Sequence, residues 1–377
     1  MGAYILRRLL LMIPTLIGIM AVNFAVIQFA PGGPVEQVIA KLQGTDVSAT
    51  ERFSGGGNDF GSQQAGADSA GGDAGLSSKY RGAQGLDPEF IAQLEKEFGF
   101  DKPPLERFLT MLWNYARFDF GNSYFRDIPV VDLVLEKMPV SISLGLWMTL
   151  ISYLVSIPLG IGKAVRDGSR FDVWTSAVIV VGYAIPSFLF AILLIVLFAG
   201  GNFFDWFPLR GLWSERYGGT PFWSWITDPV ALADYFWHLA LPLTAMAVSA
   251  FATTTLLVKN SFLDEIRKQY VLTARMKGLT ERAILYRHVF RNAMLIVIAG
   301  FPGAFIGVFI TGSLLIETIF SLDGLGLLGY RSAIDRDYAV VFATLYIFSL
   351  IGLVVTLISD LTYTLIDPRI DFDSREV

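Results

Sequence analysis

The sequence predicts an all-α polytopic membrane protein with six transmembrane helices and one long segment between the first two. Composition supports this prediction, because 53% of the 377 residues are hydrophobic and only 17% are charged. A soluble chain of this length carries a larger charged fraction. Several stretches also run long enough without charge to cross the hydrocarbon core of a bilayer.

The residue types that are missing exclude several kinds of chemistry. The sequence has no cysteine and two histidines, His238 and His288, which excludes disulfides, a thiol nucleophile and clustered cysteine or histidine metal sites. The nearest approach to a phosphate-binding loop is Gly162-Lys163-Ala164, which lacks the earlier glycine and the hydroxyl residue of that motif. We therefore expect no catalytic residue, cofactor or metal in this chain, which must take its energy from elsewhere.

Six apolar segments are the predicted spans. The first is interpreted as a retained span, because it is too long for the apolar region of a signal peptide and no small-residue cleavage site follows it. Each of the first five spans contains a proline, which removes a helical hydrogen bond and leaves a kink or hinge. The spans are Leu9–Ala30, Pro139–Gly162, Val173–Gly200, Trp237–Val258, Ala293–Phe320 and Ala339–Ile366, and the prolines are Pro14, Pro158, Pro186, Pro242 and Pro302.

The distribution of lysine and arginine predicts that both termini are cytoplasmic. With the N-terminus inside, the inner segments carry basic residues at more than twice the density of the outer segments, as the positive-inside rule requires. The predicted organisation is 1–30 for the N-terminus and first span, 31–138 for the outer segment, 139–366 for a core of five spans, and 367–377 for a cytoplasmic tail.

The outer segment has two parts of different character. Residues 44–85 are rich in glycine, serine and aspartate and poor in large apolar residues, so we predict a flexible excursion. Residues 86–126 contain two amphipathic patterns, one beginning at Asp87-Pro88 and one from about Pro104 to Tyr115. These helices either pack on each other or on the membrane surface, or they form a docking platform for an outer partner.

The polar segment 259–292 between the fourth and fifth spans carries eight basic residues. Gly278 followed by Leu279 is typical of a helix that ends with glycine in the left-handed conformation. Thr280 then predicts the N-cap of a second helix through Arg291. A plain basic cytoplasmic loop is the alternative interpretation. The apolar residues at helical spacing that predict the first helix are Phe262, Leu263, Ile266, Tyr270, Val271 and Ala274.

The order of residues in this segment resembles that of a known family. Tyr270-x-x-Thr273-Ala274-Arg275-x-Lys277-Gly278, followed by His288-x-x-Arg291-Asn292, is similar to the coupling loop, or EAA loop, of ATP-binding-cassette importer permeases. Leu272 departs from the pattern, because many such loops have glutamate there, and many also have a proline shortly after the second helix. Stretches along nearly the whole chain resemble the first permease subunit of dipeptide and oligopeptide importers: RRLLLMIPTL, APGGP, GFDKPPLERFLTMLWNYARFDFGNSYF, GSLLIETIFSLDGLGLLGY and DPRIDF.

Within that family the sequence is most similar to the Yej-type permeases of importers of peptides and microcin C. The resemblance implies a type I importer permease fold in the bacterial inner membrane, with residues 31–138 in the periplasm. It also implies a second homologous permease, two ATPase domains, separate or fused, that bind ATP and magnesium, and a periplasmic peptide-binding protein, with no nucleic acid. The coupling residues it implies are Tyr270, Thr273, Ala274, Arg275, Lys277, Gly278, Leu279, Arg291 and Asn292.

Two other functions remain open from the residues alone. An ion-coupled secondary transporter normally places acidic residues near the membrane centre, whereas Glu317 and Asp360 lie near the ends of predicted spans. We expect these two carboxylates to provide polar contacts between helices or at the membrane interface. A membrane assembly scaffold requires no particular motif and is the remaining alternative.

Overall fold

The computed structural model describes residues 2–29, 35, 38–39, 88–97, 101–201, 203–217, 227–310 and 314–366. Five helices in this part of the chain are long and apolar enough to cross a membrane, and a sixth span results if one bent pair of helices counts as one. This agrees with the six predicted spans. Residues 44–85 and 367–377, predicted to form a flexible excursion and a tail, lie outside the described residues.

The helices are numbered in chain order. They are α1 (Gly2–Phe29), α2 (Pro88–Glu97), α3 (Pro104–Tyr115), α4 (Val130–Val165), α5 (Arg170–Ala184), α6 (Ser187–Phe198), α7 (Pro229–Ile266), α8 (Gln269–Met276), α9 (Glu281–Ile284), α10 (Phe290–Ile310), α11 (Leu314–Ile319), α12 (Leu325–Ile334) and α13 (Tyr338–Ile366). A 3-10 turn occupies Glu215–Tyr217, and a π-helical turn occupies Leu285–Val289.

The chain divides into two compact units. The larger unit holds Met1–Ile13, Val134–Tyr330 and Ile347–Val377, and the smaller holds Pro14–Leu133 and Arg331–Tyr346. In the larger unit, α7 packs against α5, α6 and α10. Its main apolar cluster includes Leu144 of α4, Leu239 of α7 and Ile316 of α11, all nearly inaccessible to solvent. Burial of large aliphatic side chains on several helices is what fixes their mutual positions.

The third predicted span is a broken helix rather than one continuous helix. Helix α5 ends at Ala184, α6 begins at Ser187, and the two are bent by 91°. Pro186 causes the break, because it lacks an N–H and disfavours helical geometry in the residue before it. Ile185 is accordingly extended, with ψ 118°. The predicted kink is therefore correctly placed, and it interrupts the span completely.

The smaller unit contains a cluster of aromatic side chains around α3. Tyr115 packs edge-on against Phe120 with ring centroids 4.8 Å apart, and against Tyr346 of α13 at 5.5 Å. The predicted helix from Pro104 to Tyr115 is confirmed. Its apolar positions are divided between two environments, because Phe108 is half-buried while Leu105 is 69% exposed.

A buried carboxylate connects two loops of the same unit. Asp337 accepts a hydrogen bond from the Ser123 hydroxyl at 2.5 Å and another from the Tyr124 N–H at 3.2 Å. Burial, together with the charge of Asp337, raises the pKa of Tyr124 to about 12. The Tyr124 phenol is therefore neutral at physiological pH.

Two carboxylates near the ends of the predicted spans make specific contacts in the larger unit. Glu317 is completely buried and accepts a hydrogen bond from the Leu327 N–H at 2.7 Å, at the N-terminal end of α12, where a negative charge is favourable. Asp360 of α13 forms an ion pair with Arg8 of α1 at 2.7 Å and accepts a hydrogen bond from the Tyr4 hydroxyl at 3.0 Å. Both carboxylates thus provide polar contacts between elements.

Candidate functional site: the coupling segment

The coupling segment, residues 259–292, begins inside a helix. Helix α7 continues through Ile266, well beyond the predicted end of the fourth span at Val258. The chain then turns a corner at Lys268, whose backbone is extended with ψ 153°, and α8 covers only Gln269–Met276. The prediction of one helix running from Phe262 to Ala274 is therefore wrong.

Side-chain contacts across this corner explain why the helix breaks. The Glu265 carboxylate accepts a hydrogen bond from the Tyr270 hydroxyl at 2.7 Å and forms an ion pair with Lys268. These contacts connect the last turn of α7 to the first turn of α8. The ion pair has a spacing that a straight helix also allows, whereas the Tyr270 hydrogen bond spans five residues and fits the bent path.

The turn after α8 has the predicted geometry. Gly278 has φ +77°. The Leu279 N–H donates to the Ala274 carbonyl at 3.3 Å, and the Gly278 N–H donates to the Arg275 carbonyl at 2.9 Å, which is the hydrogen-bond pair of a Schellman motif. Within the described part of the chain, no atom beyond Gly278 and its two chain neighbours lies within 4 Å of a Cβ built on Gly278. The left-handed backbone conformation, rather than a lack of space, favours glycine here.

The second helix begins as predicted and ends differently. The Thr280 hydroxyl accepts a hydrogen bond from the Ala283 N–H at 3.3 Å, which confirms the predicted N-cap. The helix does not stop at Arg291, however, because α9, the π-helical turn and α10 follow one another without a break. The coupling segment is thus continuous with the fifth span.

An exposed ion pair links the two sides of the glycine turn. The Arg275 guanidinium donates through Nε to Glu281 Oε1 at 2.8 Å and through a terminal nitrogen to Oε2 at 3.1 Å. This hydrogen bond raises the pKa of Arg275, so the guanidinium stays charged at any physiological pH. The two-point geometry favours one relative orientation of α8 and α9.

The inner face of α8 is packed against the spans. Val271 and Ala274 are buried in a cluster with Phe262 of α7, Ile284 of α9 and Ala164 of α4. The apolar positions that the sequence singled out in α8 are therefore occupied by contacts within this chain. Displacing α8 exposes this cluster or moves the ends of α4 and α7 with it.

The outer face of α8 carries two apolar side chains that the sequence reasoning missed. Leu272 is 50% exposed and Met276 is 82% exposed. They are one helical turn apart, so they lie on the same face. Leu279, exposed by 39%, follows just beyond the turn. The four-residue spacing of Leu272 and Met276 is the sequence signal for this face, and comparison with the family pattern alone does not reveal it.

The predicted coupling residues occupy different environments. Ala274 is buried, whereas Tyr270 is half-buried and hydrogen-bonded by both Glu265 and Asn292. Burial is the main cause of the raised pKa of Tyr270. Tyr270 therefore links α8 to α7 and α10. The remaining predicted residues are exposed: Thr273, Arg275, Lys277, Gly278, Leu279, Arg291 and Asn292.

A cleft lies on the side of α8 that carries Val271 and Arg275, between this helix and the end of α4. It has a volume of about 450 Å³, and its walls include Val165, Ile266 and Leu285. The exposed pair of Arg275 and Glu281 also lines the cleft. Together these residues form an apolar recess with charged groups beside it.

An ion-pair network joins the ends of α4, α5 and α7 beneath the coupling segment. Lys163 is completely buried and lies 3.0 Å from Asp172 Oδ1, and Lys259 lies 2.8 Å from Asp172 Oδ2. Lys259 also lies 3.0 Å from Asp167. Lys163 belongs to the incomplete phosphate-binding pattern in the sequence, and its partner in the structure is Asp172. Sequence reasoning did not identify this network.

Sequence comparison relates this arrangement to a known family. Residues 156–372, more than half of the chain, match the family described as "Binding-protein-dependent transport system inner membrane component". The chain belongs to this family. The match includes the coupling segment and the network around Asp172.

Full-length relatives agree with this assignment. The chain is 68% identical over 377 residues to the "Peptidoglycan transport system permease protein YejB" of Agrobacterium fabrum, and 58% identical over 375 residues to the "Inner membrane ABC transporter permease protein YejB" of Escherichia coli O157:H7, with 100% of each chain covered. It is 31% identical over 373 residues to the "Oligopeptide transport system permease protein AppB" of Bacillus subtilis, covering 99% of this chain and 100% of that protein.

These comparisons confirm the resemblance found in the sequence. The chain has the type I permease fold of ATP-binding-cassette importers, and it is a multi-pass permease of the inner membrane. Its assignment to the Yej-type permeases is also confirmed.

Proposed function

We propose that this chain is the permease subunit of an ATP-driven importer of peptides, forms half of the translocation path, and receives motion from an ATPase through α8. The observation that carries the proposal is the division of α8 into two apolar faces. Val271 and Ala274 anchor the helix to the spans, while Leu272 and Met276 are exposed. An exposed apolar helix face suits a groove on a partner.

The proposed partners follow from this division of roles. ATP and magnesium bind to two ATPase domains, separate or fused, on the cytoplasmic side, where both termini of this chain also lie. A second homologous permease completes the path, because six spans are few for a complete passage. A periplasmic peptide-binding protein delivers the substrate. ATP binding opens the path outward, and hydrolysis returns it to the inward-open state.

The proposed substrates share a peptide chain. Relatives are named for transport of oligopeptides and of peptidoglycan, so we include oligopeptides and peptide-bearing peptidoglycan fragments, and we include microcin C from the Yej-type resemblance. Selection among them falls mainly on the binding protein. Uptake of each class by the reconstituted importer, with its binding protein present, distinguishes them.

The experiment that tests the coupling role measures whether the ATPase co-purifies with this chain. We expect the double substitution Leu272→Glu and Met276→Glu to remove the ATPase from the complex, because charged side chains on this face do not enter an apolar groove. Leu105→Glu is the matched control, because Leu105 is an exposed leucine of another amphipathic helix, α3. It should retain the ATPase.

Two outcomes contradict the proposal. If the wild-type complex contains no ATPase, the chain is not such a permease, and a secondary transporter or a scaffold becomes the better assignment. If the double variant retains the ATPase and peptide-stimulated hydrolysis, α8 is not the contact.

A further inference from the structure

The ends of three span helices meet at one buried carboxylate. Asp172, in the first turn of α5, accepts hydrogen bonds from Lys259 of α7 at 2.9 and 2.8 Å through its two oxygens. Oδ1 also lies 3.0 Å from Lys163 of α4, and Oδ2 accepts the Gly168 N–H at 3.2 Å. We call Lys163, Asp172 and Lys259 the Asp172 joint.

Each member of the joint is held in a defined position. Lys163 donates further hydrogen bonds to the Thr175 hydroxyl at 2.9 Å and to the Ser176 hydroxyl at 2.6 Å. Because the Lys163 side chain is completely buried and the Asp172 side chain only 7% exposed, their charges have little access to water. Removing a buried charge from its partner is strongly disfavoured, so the joint resists separation of these helices.

Close backbone packing independently holds α4 against α7 next to the joint. A Cβ on Gly160 of α4 would lie 2.6 Å from Val258 Cβ and 2.9 Å from the Thr255 carbonyl of α7. Such contacts leave little room for one helix to slide along the other. Gly160 is one turn from Lys163, and Val258 is adjacent to Lys259. The glycine contact and the joint therefore lie at the same level of the helices.

The joint lies directly on the path from the coupling segment into the spans. Lys259 belongs to the last turns of α7, which ends at Ile266 just before the corner that leads to α8. A displacement of α8 thus acts first on the end of α7. Through Asp172, that end is connected to the first turn of α5 and to the last turn of α4.

We propose that Lys259 is a positioning residue for transport, which makes the end of α5 follow α7, and α4 packed against it, when the coupling segment moves. This proposal rests on the function proposed above, in which α8 receives the motion of the ATPase. Lys259 provides the link between the helices, whereas Lys163 holds the Asp172 carboxylate in its orientation toward Lys259. The three helix ends then move as one body.

The test compares transport with hydrolysis in the complete importer, reconstituted in lipid vesicles with its binding protein and peptide. Lys259→Met keeps most of the side-chain length and removes the ammonium group, while Asp172 retains Lys163 and the Gly168 N–H. We expect the ATPase to remain bound and peptide-stimulated hydrolysis to persist, while peptide transported per ATP falls about tenfold, the order of effect known for residues that couple two sites.

Two control variants separate linkage from folding. Lys259→Arg preserves the charge and should restore the transport ratio. Lys102→Met removes a cation outside the coupling segment, 50% exposed and 3.6 Å from Glu106, and it should leave the ratio unchanged. A normal ratio in Lys259→Met overturns the proposal, as does an equal loss of hydrolysis and transport. Absence of the ATPase from the wild-type complex instead contradicts the proposed function.

A cross-link tests the same idea if Lys259→Met does not assemble. The hydroxyl oxygens of Ser152 on α4 and Thr254 on α7 are 3.5 Å apart, and the chain has no cysteine of its own. Oxidation of the double variant Ser152→Cys and Thr254→Cys should leave transport at the rate of its reduced form, because α4 and α7 move together. Arrest on oxidation, without arrest of either single variant, overturns the proposal.

Discussion

Substitution of Gly278 by valine perturbs the turn of the coupling segment at one backbone angle. Gly278 has φ +77°, and apart from its two chain neighbours no described residue has an atom within 4 Å of a Cβ built there. The change therefore introduces no steric clash with another element. Its cost is the strain of a left-handed L-residue, about 1–2 kcal/mol. A β-branched side chain falls at the upper end of this range, because its rotamers are also restricted.

This strain is large for the turn and small for the whole protein. About 1.4 kcal/mol corresponds to a tenfold change in an equilibrium, so the fraction of molecules with a disrupted turn rises by roughly that factor. The side chains of Val271 and Ala274, on the inner face of α8, remain buried. We therefore expect Gly278→Val to insert into the membrane, but with the orientation of α8 relative to α9 poorly fixed.

The assay is peptide uptake and peptide-stimulated ATP hydrolysis by the reconstituted importer. Gly278→Val should lose uptake and stimulated hydrolysis in proportion to the molecules whose turn is disrupted, up to about tenfold. Gly278→Asn should lose much less, because asparagine tolerates the left-handed conformation better than other non-glycine residues. The reasoning is refuted if the valine variant transports normally. It is also refuted if the asparagine and valine variants lose equal activity, because the backbone angle is then not the cause.

Two further predictions concern the stability of the purified chain, measured as thermal unfolding in detergent. Gly160→Ala should lower stability by up to about 2 kcal/mol, since overpacking against Val258 costs about 1–3 kcal/mol and improved helix propensity returns about 1. Gly352→Ala should cause no loss, because no described atom lies within 4 Å of a Cβ added there. Equal stability of the two variants would contradict the close helix contact. Asp360→Asn should lower stability by about 1–3 kcal/mol, because the Arg8 guanidinium, 2.7 Å away, loses its anionic partner between two candidate span helices. Unchanged stability would mean that this ion pair does not hold α1 against α13.

Local features of the coupling segment could be predicted because they depend on few neighbouring residues. The left-handed conformation of Gly278 follows from the absence of a side chain, and the capping role of Thr280 follows from a hydroxyl placed before a helical turn. Each requires hydrogen bonds only to residues a few positions away in sequence. The large bend at Pro186 is a similar case, although its angle depends on the packing of α5 and α6.

The orientation of α8 could not be predicted, because apolar residues occur on more than one of its faces. The sequence shows Val271 and Ala274 at one set of helical positions and Leu272 and Met276 at another. Which pair turns inward depends on α4, α7 and α9, whose positions are fixed by residues distant in sequence. The corner at Lys268 was missed for the same reason, since continuous periodicity is equally compatible with a straight helix.

Lys163 and Lys259 show that the number of basic residues in a segment predicts its side of the membrane but not the role of each residue. Both are the first residues of predicted inner segments, 163–172 and 259–292, yet the structure pairs both with Asp172. Without them, the density of basic residues in the predicted inner segments remains more than double that in the outer segments, so the predicted orientation does not depend on them.

The burial of Lys163 and Asp172 needs another explanation, because a buried ion pair seldom adds stability over an apolar contact of similar size. Directional hydrogen bonds add to the apolar contacts by fixing the rotation and register of the helix ends that they join. A permease that must move several helix ends together requires that fixed register, and the Asp172 joint can provide it.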